Sequence, residues 1–305
     1  MIINSLFPVF VLLAIGAILR KYQLTGEIFL KTADKLVYFI FFPALLFWKI
    51  GSATSSAELD LSYCIAALAT TFLVFVLSLV SIRLFRVADF GAGTFSQSCY
   101  RFNTYIGMAV IINAFGSEGV RYFGVLISVV IPFINVMAVS TLIWFSGMQI
   151  KPRQRVLMMS KALISNPLIL SCIAGILYAR SVGSFPPALV NTFQLMTSVT
   201  LPLALLSIGG ALTFKGLRQF LSVSVIAAVA KLLLMPLIGY FLLKAFGVTG
   251  MPFKVSMVFF TVPTATSIYI LSSQLNSDTE MASATILLST ILSFFSLTIA
   301  LLVSA

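Results

Sequence analysis

The chain of 305 residues has no histidine, three cysteines and eight acidic side chains. Without histidine, Ser-His-Asp triads, HExxH zinc sites and His-ligated haem are excluded. Cys64, Cys99 and Cys172 lie far apart inside apolar runs and form no CxxC pair. They read as small buried hydrophobes, so neither a metal nor another cofactor is expected. There is no GxSxG motif and no pair of membrane aspartates, and an enzyme is not expected. Charge of either sign is scarce: 9% of residues are charged and 60% apolar, with a mean hydropathy of +1.11. An ordinary soluble domain is about a quarter charged. The chain therefore reads as an integral membrane protein with no soluble domain.

The scarce charge is lopsided, with a formal net of +11. No aromatic-basic stripe accompanies it, which argues against nucleic acid. Basic residues flanking membrane spans account for it more simply. The first residues enter an apolar run without a basic leader or small-residue cleavage site, so no removable signal peptide is expected.

Ten apolar runs follow, at about 2–19, 30–50, 61–84, 94–116, 119–145, 156–179, 188–213, 219–243, 252–275 and 279–303. Each is near the roughly 20 residues that a membrane helix needs. The second run is the most polar, carrying Lys31, Asp34, Lys35 and Lys49. Odd-numbered loops hold ten Lys and Arg, including the central stretch Gln149 to Arg155, and even-numbered loops hold five. The positive-inside rule puts odd loops in the cytoplasm and both termini outside.

The two halves resemble each other. Pro8 and Pro167, Pro43 and Pro202, Gly16 and Gly175, and Gly51 and Gly210 all share an offset of 159. The fold expected is all-α: two five-helix repeats, 1–145 and 156–305, joined by a short basic cytoplasmic loop at 146–155. Because five is odd, the second repeat is inverted relative to the first. That is the architecture of many secondary transporters, whose sites lie at interrupted helices near the midplane.

Two interruptions suggest themselves. In the ninth span, Pro263 within Thr261-Val-Pro-Thr-Ala-Thr-Ser267 removes an amide and frees the carbonyl of Phe259. An offset of 159 carries Pro263 to Thr104, inside the polar segment Arg101-Phe-Asn-Thr-Tyr-Ile-Gly107 of the fourth span. Freed backbone at membrane depth needs a cavity or protein around it. Asn103, Thr104, Thr264, Thr266 and Ser267 are candidate ligand contacts beside Pro263. Alternatively the amide bonds another helix and the hydroxyls bond back to their own. Arg101 either snorkels to the cytoplasmic surface or attracts an anion. Lys231 lies twelve residues into the eighth run, too deep to snorkel. It is a candidate counter-charge or proton carrier, or a partner for backbone carbonyls. Asp34 is the one candidate carboxylate for ion coupling, although an interfacial ion pair with Lys31 or Lys35 also explains it.

The whole chain resembles the auxin efflux carrier family, which includes bacterial malonate and malate permeases and the plant auxin exporters. The resemblance rests on Phe7-Pro-Val-Phe10 with Gly16, Phe42-Pro-Ala-Leu-Leu46, Arg101-Phe-Asn-Thr104 with Gly107, Lys231-Leu-Leu-Leu-Met-Pro236, and the Pro263 break. It implies scaffold helices 1, 2, 6 and 7, and transport helices 3–5 and 8–10 with helices 4 and 9 crossing near the midplane. It implies that Asn103 meets a substrate carboxylate and that a small organic anion crosses by an elevator-like alternation. A prokaryotic relative in the cytoplasmic (inner) membrane is the expectation, with the bilayer and a small carboxylate as partners and a homodimer through the scaffold helices left open. The plant exporters have proline before the matching Asn-Thr. Here Phe102 stands there, so the fourth span is expected to bend rather than break fully. Membrane potential is the favoured driving force. A sodium-coupled symporter like the bile-acid carriers, or a membrane sensor that binds without transporting, are the alternatives.

Overall fold

The computed structural model describes residues 2–52, 61–145, 154, 157, 165–182, 184–213 and 216–303. Most of the basic stretch at 146–155 and the start of the sixth run lie outside the described residues. All regular structure among the described residues is helical. In chain order the helices are α1 (Ile2–Lys21), α2 (Glu27–Leu36), α3 (Phe42–Gly51), α4 (Ser62–Leu84), α5 (Asp89–Tyr100), α6 (Thr104–Phe145) and α7 (Pro167–Ser181). They continue as α8 (Pro187–Ala211), α9 (Leu221–Val229), α10 (Met235–Ala245), α11 (Gly250–Thr261), α12 (Ser267–Gln274) and α13 (Thr279–Val303). Among the described residues six helical stretches are long and apolar enough to cross a membrane. Their apolar side chains point outward as well as inward: Phe7, Phe72, Phe241 and Phe295 are all exposed. A helix apolar on every side is what a lipid environment selects.

Several runs are segmented. The second is α2 and α3 joined by a π turn at Val37–Phe41, with Pro43 at the start of α3. The eighth is α9 and α10 joined by a π turn at Ala230–Leu234, with Pro236 at the start of α10. A proline cannot donate to the preceding turn, and a widened turn is one way to accommodate the loss. Helix α6 is interrupted at Gly116, whose φ of 62° and ψ of −151° suit glycine alone. This break falls between the fourth and fifth apolar runs.

The chain divides into two compact units. Unit 1 comprises Met1–Asp60, Tyr105–Ser128 and Leu163–Leu212. Its core is a set of close helix crossings at glycine. A Cβ on Gly16 would collide with the Leu206 carbonyl, and one on Gly209 with the Leu13 carbonyl, so α1 and α8 meet backbone to backbone. Likewise a Cβ on Gly175 would lie 3.0 Å from Ile50, where α7 packs on α3. Small residues that let backbones approach are how helices associate without a hydrophobic drive. On the unit's edge Glu27 and Lys31 form an exposed ion pair at 2.6 Å. That hydrogen bond holds the Glu27 carboxyl below the usual range. Lys31 thus has Glu27 as an ion-pair partner.

Unit 2 comprises Leu61–Thr104, Val129–Ala162 and Thr213–Ala305. Two of its segments share one design. Helix α4 ends at Leu84 and α10 at Ala245; Phe85-Arg-Val87 and Phe246-Gly-Val248 follow with the same three backbone hydrogen bonds. Arg86 and Gly247 both take positive φ, 52° and 68°. The next helices, α5 and α11, are twelve residues each. Their ends, Tyr100 and Thr261, are 161 residues apart, so the offset of 159 from the first spans has widened by two here.

Candidate functional site

Helix α5 stops at Tyr100 and helix α11 at Thr261, and the backbone leaves both with nearly the same dihedral angles. Arg101 has φ −68° and ψ 146°, and Val262 has φ −65° and ψ 149°. Each donates its amide one helical turn back, to Gln97 and Val258 respectively. Helical structure resumes at Thr104 and at Ser267. Three residues of the fourth span are therefore non-helical even without a proline, and the span is broken where a bend was expected.

The reason is that the two extended segments hold each other. The Asn103 amide donates to the Pro263 carbonyl at 2.9 Å. The Thr264 hydroxyl donates to the Ser98 carbonyl at 3.0 Å, near the end of α5. The Thr264 amide donates in turn to the Ser289 hydroxyl of α13 at 3.2 Å. Backbone groups that no helix can pair are thus paired across the crossing, which buried polar atoms require. Pro263 and Thr264 are fully covered, Asn103 is 2% exposed, and the Phe102 ring packs on Phe259 at 4.5 Å between centroids.

On one side of the crossing the polar side chains remain accessible. Arg101, Thr104 and Thr266 are partly exposed and Ser267 is exposed. The Arg101 guanidinium donates to Gln97 Oε1 at 3.3 Å, to Asn135 Oδ1 at 3.2 Å and to Ser267 Oγ at 3.2 Å. It therefore spans α5, α6 and the first turn of α12 and does not extend freely toward a surface. A hydroxyl-rich network supports it: Gln97 Nε2 donates to Ser272 Oγ, which also meets the Thr94 hydroxyl. A positive charge and the starts of two helices, at Thr104 and Ser267, are thus gathered in one place. Helix starts expose amide hydrogens and a partial positive charge. The arrangement suits an anion.

Lys231 lies in the same unit, in the eighth span beside the end of α11. It is fully buried in the π turn, and its ammonium donates to the Phe260 carbonyl at 2.8 Å and to Met235 Sδ at 3.3 Å. The Ser296 hydroxyl covers the neighbouring Thr261 carbonyl at 2.9 Å. At the widened offset Lys231 corresponds to Thr70, whose hydroxyl bonds one turn back to the Ala66 carbonyl. Asp34 is on α2 in unit 1, apart in the chain's organisation from the crossing residues of unit 2.

The residues that sequence reasoning missed are Gln97, Asn135 and Ser289. Gln97 stands one turn before Arg101, and Asn135 is a lone amide in an apolar run; both were visible as isolated polar side chains. Ser289 carried no such signal. Unit 1 has its own cavity of about 470 Å³, mostly apolar in lining, where the Lys49 ammonium lies over the Trp48 ring at 4.3 Å. It contains none of the expected site residues. Among the described residues no cluster of three His, Cys, Asp or Glu side chains could hold a metal.

Comparison with known proteins agrees with this picture. A family described as membrane transport protein matches residues 1–301. A Rhizobium meliloti protein named "Putative malonate transporter" is 26% identical over 274 residues, covering 87% of this chain and 84% of its own. An uncharacterized transporter of Methanocaldococcus jannaschii is 22% identical over 290 residues, covering 92% of each chain. Another, of Methanothermobacter thermautotrophicus, is 23% identical over 298 residues, or 96% of this chain and 95% of its own. With nearly its whole length matched, an all-helical apolar chain and no sign of an enzyme among these relatives, the protein belongs to the membrane transport protein family, the auxin efflux carrier and malonate permease group that its sequence resembles.

Proposed function

We propose that this protein is a secondary transporter of a small organic anion, a mono- or dicarboxylate, working by elevator-type alternating access in the cytoplasmic membrane. The observation that carries the proposal is the crossing: two helix breaks of matching backbone geometry, joined by the bond from Asn103 to Pro263. Beside it stand Arg101, Thr104, Thr266 and Ser267, which the anion would meet, with Asn103 as the carboxylate contact. Interrupted helices whose N-terminal ends face an anion are a recurrent device of secondary carriers. The relative from Rhizobium, named for malonate, is consistent with a carboxylate substrate.

The repeat reading has support beyond the Pro and Gly offsets. Turns at Arg86 and Gly247, and breaks at Arg101 and Val262, recur in the two halves at an offset of 161. In that reading α1–α3, α7 and α8 form the scaffold, through which a homodimer would form, and unit 2 carries the substrate. Both termini face outward, following the basic residues of the odd loops.

Flux into liposomes holding the purified protein tests the proposal, using radiolabelled mono- and dicarboxylates under an imposed potential. Saturable uptake of one carboxylate, lost in Asn103→Ala while folded protein is still recovered, is the expected result. Unchanged uptake in that variant would remove Asn103 from the site. Binding without flux under any potential or ion gradient would make the protein a membrane sensor.

A further inference from the structure

The end of α11 is a place where a cation belongs. The amide that Phe259 would have accepted is missing because residue 263 is proline. The Phe260 and Thr261 carbonyls also lie beyond the reach of any further helical amide. A helix end carries about half an elementary negative charge. In membrane carriers such ends and unwound carbonyls commonly coordinate the coupling ion. In this chain the Thr261 carbonyl is taken by Ser296 and the Phe260 carbonyl by the Lys231 ammonium.

Two details show that the lysine is built into this position. The π turn at Ala230–Leu234 holds Lys231 where its amine meets α11 across the helix boundary, and Gly239, one helix further, lets α10 lie directly against the Phe260 ring. The second contact is the thioether of Met235 at 3.3 Å, which accepts a hydrogen bond but is a poor ligand for a hard ion such as Na⁺. Among the described residues no carboxylate pairs with Lys231. The elements packed on this π turn carry charged residues only toward their ends: Arg83 on α4, Asp89 on α5, Lys244 on α10, Lys254 on α11 and Glu280 on α13.

Resting on the carrier reading above, we infer that the Lys231 ammonium occupies the position of a coupling cation, so that the cation is part of the chain and transport needs no Na⁺. The organic anion then moves down its own electrochemical gradient, and the sodium-coupled alternative is disfavoured.

The test compares wild type, Lys231→Ala and Lys231→Met in liposomes with Na⁺ replaced by choline. Wild-type carboxylate flux is expected to change less than twofold. Lys231→Ala is expected to lose at least tenfold and to regain several-fold with methylammonium, which fits the space vacated. Lys231→Met fills that space with an apolar stem and is expected to stay inactive with methylammonium present. Na⁺-dependent wild-type flux, undiminished flux in Lys231→Ala, or a loss that no small cation relieves would each overturn the inference. The first of these is read on wild type alone and serves even if both variants fail to fold. A second readout needs no transport: methylammonium, against choline at equal ionic strength, should raise the melting temperature of Lys231→Ala and leave wild type unchanged. That shift without carboxylate flux in wild type would count against the carrier and not against the cation position. Flux without the shift would do the reverse.

Discussion

Arg101 carries three hydrogen bonds that fan out to Gln97, Asn135 and Ser267. A guanidinium can do this because its donors lie in a rigid plane, whereas an ammonium is a point charge on a flexible stem. Arg101→Lys keeps the charge but not the fan. It is expected to lower carboxylate uptake roughly tenfold, with most of the loss in apparent affinity, which a flux series over substrate concentration would show. Equal uptake in the two proteins would mean that charge alone matters at this position. The role of Arg101 was only half legible in the sequence. Its place near the break was plain from the neighbouring Asn103 and Thr104. That it is held by Asn135, thirty-four residues on, depends on tertiary packing that no local pattern encodes.

At the scale of the element, proline and glycine were informative because their effects are local and steric. Pro263 marked the ninth break correctly, and Gly116 separates two helices where the hydropathy dips. The fourth break was misjudged in degree for the same reason. With Phe102 in place of a proline, nothing local forces the backbone open. Asn103 and Thr264 open it by giving its amide and carbonyls partners on the other chain segment. Glycine at a helix crossing is equally local, and it yields a direct prediction. A methyl group on Gly209 would meet the Leu13 carbonyl, while one on Gly26 would meet nothing within 4 Å. Gly209→Ala should therefore cost about 1–3 kcal/mol, as overpacking does. Purified Gly209→Ala should melt several degrees lower than wild type, with Gly26→Ala close to wild type. Equal melting of the two variants would mean that the α1 and α8 backbones part more readily than described.

For the whole molecule, the matched turns at Phe85-Arg-Val87 and Phe246-Gly-Val248 make the inversion testable. They share hydrogen bonds and the sign of φ, yet an odd number of spans per repeat, as proposed, would put them on opposite sides of the membrane. Ala88 and Thr249 hold equivalent exposed places just after them. The native cysteines are all buried, so a membrane-impermeant maleimide has little else to label. On intact cells Thr249→Cys is expected to react and Ala88→Cys to react only after the membrane is opened. Labelling of both from the same side would dismantle the inverted repeat. The proposed repeat rests in the sequence on prolines and glycines, whereas its shift from 159 to 161 leaves no signal there, because two added residues in an apolar run leave hydropathy unaltered.

The bond between Asn103 and Pro263 has one more consequence. It fastens the two interruptions into a single joint, so in the proposed carrier the groups around a bound anion would form one rigid nest within unit 2. A passenger in such a nest keeps the same neighbours throughout its journey and is not handed from one set of partners to another. Its intrinsic dissociation constant should then be the same whether it boards from the cytoplasm or from outside. Any directionality must come from voltage and concentration, and the protein itself would be indifferent to which way it runs.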